Sequence, residues 1–186
     1  PPPPPPGNWV GRYGSEGYVL ADWNGGSDLA VLPGGVSVVV ERASRYTWAA
    51  STSDVRALQT PDQTGRRAKT WHDGTQIRIR LNFSAAYSGT LHLYAVDWDA
   101  LGRLEDVTVN DGSGPRTGRL TASFATGAWL HYPISVAAAG SVVITVDKTA
   151  GQNAVLSGLF LGNAGPPLPP PPPPGNWVGR YGSEGY

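Results

Sequence analysis

Three histidines, a few carboxylates and a set of tryptophans are the residues whose types could do chemistry in this chain. His72, His92 and His131 are its imidazoles, and their separation matches no metal-ligand spacing. A Ser-His-Asp triad could assemble only in space. Tyr13-Gly14-Ser15-Glu16-Gly17 misses the nucleophile elbow, because Tyr13 stands where that strained turn requires glycine. No glycine-rich phosphate loop precedes a helix. The chain therefore reads as a non-catalytic protein with no cofactor.

The carboxylates offer a weaker prospect. Asp97 and Asp99 flank Trp98 at the end of an apolar stretch, and two acids at a turn could hold Ca²⁺ through oxygen. The simpler reading is that they accept turn amides or pair with Arg103. Asp54 and Arg56 likewise read as a pair that fixes a loop. Trp23, Trp71 and Trp129 fall near predicted strand ends and are the candidates for stacking on a sugar ring; core or edge-capping tryptophan is the competing reading. Asn82-Phe83-Ser84 is an N-glycosylation sequon.

These residues are carried on a repeated frame. Residues 1–18 read PPPPPPGNWVGRYGSEGY, and residues 169–186 repeat all eighteen letters. The period of 168 residues is that of a whole domain rather than a solenoid turn. The chain is thus expected to be a window of a longer tandem array. It divides into a polyproline linker at 1–6, a repeat unit at 7–164, a second linker at 165–174, and the first segment of the next unit at 175–186. Consecutive prolines fix φ and lack N–H donors, so each run is expected to form a stiff polyproline II rod. Such a rod is a spacer, or a carrier of glycans if its prolines are hydroxylated. The candidate attachment positions are Pro1, Pro2, Pro3, Pro4, Pro5 and Pro6, and Pro169, Pro170, Pro171, Pro172, Pro173 and Pro174, besides Asn82.

Within the unit no segment keeps a helical period. Gln76-Ile77-Arg78-Ile79-Arg80-Leu81 and Leu91-His92-Leu93-Tyr94-Ala95-Val96 alternate, which marks strands with one buried and one wet face. On that pattern His92 should face solvent or a polar sheet face. Val142–Val146 reads as a central strand. Strands are predicted at 9–13, 18–23, 36–41, 46–49, 68–71, 76–82, 89–97, 104–110, 116–123, 128–135, 141–148 and 154–161, with breaks such as Asp73-Gly74 and Asn110-Asp111-Gly112 between them. The fold class is all-β, an antiparallel β-sandwich of jelly-roll type with polyproline II linkers. The chain has no cysteine, so its aromatic and aliphatic core must carry the stability. Zero formal net charge gives no electrostatic reason to bind nucleic acid. Apolar stretches such as Ile134–Ala139 are too short to enter a bilayer as a span.

The segments Tyr46-Thr47-Trp48-Ala49, Ser53–Gln59, Leu91–Asp99 and Asn153–Leu161 resemble a jelly-roll module of bacterial secreted proteins. The module is similar to the carbohydrate-binding, galactose-binding-like class, and the resemblance covers about Gly7 to Gly162. The proline-linked array also resembles repeat proteins of extracellular fibrils. The resemblance implies an accessory or repeat module outside the cell or on its surface; no ligand residues follow from it.

Two functions stay open on these letters. The leading expectation is a structural repeat of an extracellular fibre or stalk, whose partners are neighbouring copies stacked head to tail. The contact is expected to involve Trp9, Val10, Tyr13, Trp177, Val178 and Tyr181, one form being strand exchange; the competing reading is that residues 7–18 pack within their own unit and 175–186 begins the next. The alternative is a carbohydrate-binding or adhesin module displayed in several copies.

Overall fold

The computed structural model describes residues 1–162. Their first seven strands are β1 (Gly17–Leu20), β2 (Leu29–Val31), β3 (Val36–Arg42), β4 (Ser44–Thr52), β5 (Leu58–Gln59), β6 (Arg66–Asp73) and β7 (Gln76–Phe83). The rest are β8 (Tyr87–Ala95), β9 (Leu104–Asn110), β10 (Pro115–Leu120), β11 (Ala128–Val136), β12 (Ser141–Ala150), β13 (Ala154–Leu156) and β14 (Gly158–Leu161). All pairings are antiparallel. One sheet has the order β11-β8-β14-β1-β2, a second β10-β9-β12-β7-β3, and a third, smaller one β13-β6-β4 with β5 also on β6.

Alternation explains the sandwich. Ile77, Ile79, Leu81 and Phe83 of β7 are buried, while Gln76, Arg78, Arg80 and Asn82 point the other way. They meet Val19, Leu91, Leu93, Leu159 and Leu161 of the first sheet in one core. From β7 to β12 the chain passes repeatedly between the two large sheets, which makes the sandwich a jelly roll. Val142–Val146 lies in β12, between β9 and β7, and is central as expected.

The first sheet is also buried on its outer face. Leu20, Tyr94, Val96 and Phe160 lie there under Trp9, Tyr13, Trp23 and Leu58. The opening segment forms this cover. Residues 9–13 were expected to be a strand; instead the Arg12 and Tyr13 amides both donate to Trp9 O at 2.9 Å, forming a tight turn. That turn puts Trp9 and Tyr13 on the same side. Trp9 packs on Tyr18 at 4.6 Å and Phe160 at 5.1 Å between ring centroids. Its indole N–H donates to Gln59 O at 2.8 Å. Gly7 donates to Val55 O and accepts from the Gln59 amide. A side chain at Gly7 would collide with Ala57 O.

These contacts place Trp9 and Tyr13, two of the residues expected between units, in the core of the domain that carries them, and half-buried Val10 packs on the same cluster. β1 is likewise paired within the chain, to β14 and β2. Trp177, Val178, Tyr181, Pro169–Pro174 and the segments 165–174 and 175–186 lie outside the described residues. Pro1–Pro4 are exposed, whereas Pro5 and Pro6 are half-buried.

Two short strands, β2 and β5, had no periodic signal. The run expected as one strand over 154–161 is two. At Ser157 the N–H turns to Tyr94 O and the carbonyl to the Ala21 amide, so the chain leaves β6 and joins β8 and β1.

The cover is expected to be a structural part of the domain. Trp9→Ala should cost about 3–5 kcal/mol, as large-to-small changes at buried aromatics do, and Gly7→Ala should also destabilise. Urea unfolding followed by circular dichroism measures both; a loss under about 1 kcal/mol for Trp9→Ala would mean the segment is only draped on the sheet.

Candidate functional site

The third sheet has two unlike faces. Pairing sets Arg45 opposite Trp71 and Thr47 opposite Lys69 on one of them. That face is closed by the loop after β1. Asp28 accepts from the Trp71 indole at 3.0 Å and from Arg45 at 2.8 and 2.7 Å. Asp22 accepts from Thr47 at 2.6 Å, and its carbonyl from the buried Lys69 ammonium at 2.8 Å.

The other face is open. Tyr46 lies opposite Thr70, two residue pairs from His72 and on the same face. Pairing slips between Thr47 and Ala49, which leaves Trp48 as the extra residue of a bulge, a device that re-aims a side chain. Tyr46, Trp48, Thr70, His72, Asp99, Arg103, Gln152, Asn153 and Val155 line a cleft of about 240 Å³. Tyr46 is 53% exposed. Trp48 and His72 meet its ring edge-on, at 6.3 and 6.2 Å. Three rings thus form a cup.

The walls of the cup are stiff. Trp48 stacks on Trp98 at 6.5 Å, Arg56 lies over Trp98 at 4.4 Å, and Arg103 lies over Trp48 at 5.7 Å. Arg56 is held by three bonds to Asp54 and by the carbonyls of Trp98 and Ala125. Asp54 also accepts the Arg56 amide at 2.9 Å, so the loop-fixing pair read from the sequence is present. Its guanidinium holds the Asp54 carboxyl below the ordinary range, against the opposing effect of burial.

Asp97 and Asp99 are committed to the same framework. Asp97 accepts the amides of Leu101, Gly102 and Arg103 at 3.2, 3.0 and 3.2 Å, and Arg103 Nη1 at 2.6 Å. Asp99 accepts from Arg103 Nη1 as well, and Asn153 Oδ1 from Arg103 Nε at 2.7 Å. Asp97 therefore acts as a turn acceptor and ion-pair partner, the simpler of the two readings. Among the described residues no group of three or more His, Cys, Asp or Glu could hold a metal ion. Burial opposes the Arg103 charge, but the hydrogen bonds and charges of Asp99 and Asp97 outweigh it and raise its pKa.

Behind the cleft lies Glu105, fully buried on the core side of β9. Its Oε2 accepts the Val155 amide at 2.9 Å, and its Oε1 has no partner among the described residues. Burial favours its uncharged form and pushes its pKa up to about 8, against the opposing pull of the Val155 amide and Arg103.

The predicted stacking tryptophans are elsewhere. Trp71 is fully enclosed and Trp23 nearly so, with Arg67 over the Trp23 ring at 5.1 Å. Neither can receive a sugar. Trp129 is half-buried, packed on Tyr13, Tyr94 and Phe160, and donates to Pro6 O at 2.7 Å. Asn82 lies half-buried on the outward face of β7 and accepts from Ser141 Oγ at 2.8 Å.

The histidines divide. His72 belongs to the cleft, while His92 and His131 meet at 2.7 Å between Nδ1 atoms. His92 does not face solvent: Tyr13 covers it at 4.4 Å. Its Nε2–H donates to Gly162 O at 2.5 Å, so its Nδ1 accepts from His131. Burial pushes the His92 pKa down to about 4, with a smaller push from His131 against the Gly162 carbonyl.

A larger groove of about 630 Å³ lies at the opposite end of the strands, among Tyr18, Val31, Leu32, Pro33, Phe83 and Tyr87. Its walls are mainly apolar, and the Glu16 carboxylate there is taken by the Tyr87 hydroxyl. The smaller cleft combines an exposed ring with fixed charged and amide groups, the pattern of a specific site.

The sequence could have shown Tyr46 and Trp48 as a pair on one strand face, two residues apart. Arg103, Gln152 and Asn153 come from distant loops and had no such signal.

No family model matches this chain, and no curated protein matches it. Among solved structures it is similar to TmCBM61 in complex with β-1,4-galactotriose, with TM-score 0.40 and 12% identity over 69% of this chain and 89% of that one. It is also similar to a family 35 carbohydrate-binding module from Clostridium thermocellum, with TM-score 0.39 and 17% identity over 68% and 92%. A third is the module CBM6cm-2 of Cellvibrio mixtus lichenase 5A in complex with cellotriose, with TM-score 0.36 and 13% identity over 68% and 95%.

Two buried groups should give stability opposite pH slopes. Glu105 binds its proton more tightly folded than unfolded, so its contribution falls as pH rises from about 4.5 to about 8. Glu105→Gln should remove that decline, on the order of 3–5 kcal/mol across the window. His92 binds its proton less tightly folded, so stability should fall as pH drops from about 6.5 toward 4. Denaturant midpoints from pH 4 to 9 check both; an unchanged slope in Glu105→Gln would contradict the assignment.

Proposed function

We propose that the protein is a non-catalytic carbohydrate-binding module that receives a sugar ring in the cleft of the third sheet. The observation that supports this reading is Tyr46: a ring 53% exposed and edge-buttressed by Trp48 and His72, beside Asp99, Arg103, Gln152 and Asn153. An aromatic face takes the C–H surface of a pyranose, and rigid polar groups beside it orient the hydroxyls. The cleft lies below the roughly 300–1,000 Å³ of drug-sized sites, which suits one or two rings of a glycan rather than a long stretch. Such a module works where polysaccharide is found, outside the cell or on its surface. Weak single sites gain strength when copies are linked, and the eighteen-residue repeat of the opening segment supports an array.

That same repeat favours a second reading, the structural unit of an extracellular fibre. Trp9 and Tyr13, the residues expected to join units, are used inside this one. Electron microscopy of the native material separates the readings: a regular filament supports the second, separated beads the first.

A glycan array probed with the full chain tests the main reading. Tyr46→Ala should weaken saccharide binding at least tenfold, about 1.4 kcal/mol, with stability changed by no more than about 0.5 kcal/mol. Tyr46→Phe should keep most of the affinity, since the ring face remains. Retained affinity in Tyr46→Ala would rule this cleft out.

A further inference from the structure

We propose that the cleft selects uncharged saccharides by gripping two neighbouring hydroxyls between Asp99 and Arg103, and that it discriminates against uronic acids. This inference rests on the carbohydrate-binding reading and specifies its ligand.

The arrangement of donors carries it. A guanidinium has five N–H groups in a fixed fork. Arg103 gives Nε–H to Asn153 and its two Nη1 hydrogens to Asp97 and Asp99. Its two Nη2 hydrogens have no acceptor among the described residues. The side chain is 3% exposed and held on three sides, so the fork cannot swing. Asp99 is 39% exposed at its side chain, and the Arg103 bond occupies one of its oxygens. The other oxygen has no partner among the described residues. A fixed acceptor and a fixed donor thus stand side by side, tied to each other. Two adjacent sugar hydroxyls complement them: one donates to Asp99, and the next accepts from Arg103. Tyr46, Trp48 and His72 supply the rings on which such a sugar rests.

Charge decides which sugars are excluded. Asp97 and Asp99 face Arg103 alone, which leaves one negative charge in excess. Arg56, over the neighbouring Trp98, is already matched by Asp54. A uronate bound here adds a second anion close to Asp99, and like charges at contact distance in a partly desolvated site repel.

The test is calorimetric titration of the full chain with neutral β-linked trisaccharides of galactose, glucose and mannose, and with the corresponding uronic acid trisaccharides. For the preferred neutral sugar, single-deoxy forms at two adjacent ring positions are included. Neutral ligands should bind at least tenfold more tightly than uronates. Each of the two deoxy forms should lose about tenfold. Asp99→Asn, a change at an exposed position, should shrink the neutral-to-uronate ratio. Uronates binding as well as neutral sugars, or no adjacent deoxy pair that loses affinity, overturns the inference while the carbohydrate reading stands. Binding of neither class overturns both. The deoxy ligands keep the result independent of how any variant folds.

Discussion

The centre of the first sheet, β14 with the adjoining parts of β1 and β8, is buried on both faces, and the rest of the molecule is arranged around that constraint. Leu159 and Leu161 of β14 point into the space between the sheets, and Phe160 between them points out. β14 is therefore buried throughout, as the central strand of a doubly covered sheet must be. One cover is the second sheet. The other is assembled from the opening segment, the loop carrying Leu58, and Trp23 after β1. Without it Tyr94, Phe160 and Leu20 would form an exposed apolar patch of the kind that promotes association. The cover also dictates the chemistry of His92: buried under Tyr13, it is satisfied by Gly162 O and His131 rather than left to titrate freely.

Double burial leaves little room for charge, and the three most deeply buried carboxyl and guanidinium side chains gather at one end. Arg103, Asp97 and Glu105 lie there, all 3% exposed or less. A buried ion pair stabilises only where its geometry repays desolvation. Here Asp97 is tied to three amides as well as to Arg103, and burial favours the protonated, uncharged form of Glu105. The same rigidity that makes this cluster tolerable fixes the polar wall of the cleft. Site and scaffold are one network, in which Arg103 ties the turn after β8 to Asn153 in the loop before β13.

What could be read from the letters was set by local period. The alternation of Gln76–Leu81 and the apolar run Val142–Val146 predicted β7 and a central β12, because side-chain direction in a strand follows from position alone. The predicted 104–110 coincides with β9. Exposure of an aromatic is a different matter. Trp71 and Tyr46 sit on paired strands, yet Trp71 faces the Asp28 loop and is enclosed, while Tyr46 faces away from it and is open. Which face a loop will cover depends on contacts far apart in sequence, and no window of residues contains them. Trp9 to Tyr13 misled for a related reason. An apolar pair four residues apart suits one tight turn better than a strand, and only the sheet beneath it makes that turn worth forming.

The packing of the opening segment reaches into the proline run. In an array of globular blocks and inert spacers, the residues after the proline run would be free to differ. Gly7, Trp9, Tyr13 and Gly14 are instead fixed by what they touch: Gly7 by Ala57 O, Trp9 by Gln59 and Phe160, Tyr13 by His92 and Trp129, Gly14 by the rings of Phe160 and Trp9. Even Pro6 accepts the Trp129 indole N–H. The contacts of the opening segment therefore reach back into the proline run as far as Pro6. The sequence carries glycine, tryptophan, tyrosine and glycine again at 175, 177, 181 and 182. In the opening segment those residue types cover the first sheet of the same domain, a packing role that needs no second copy of the chain.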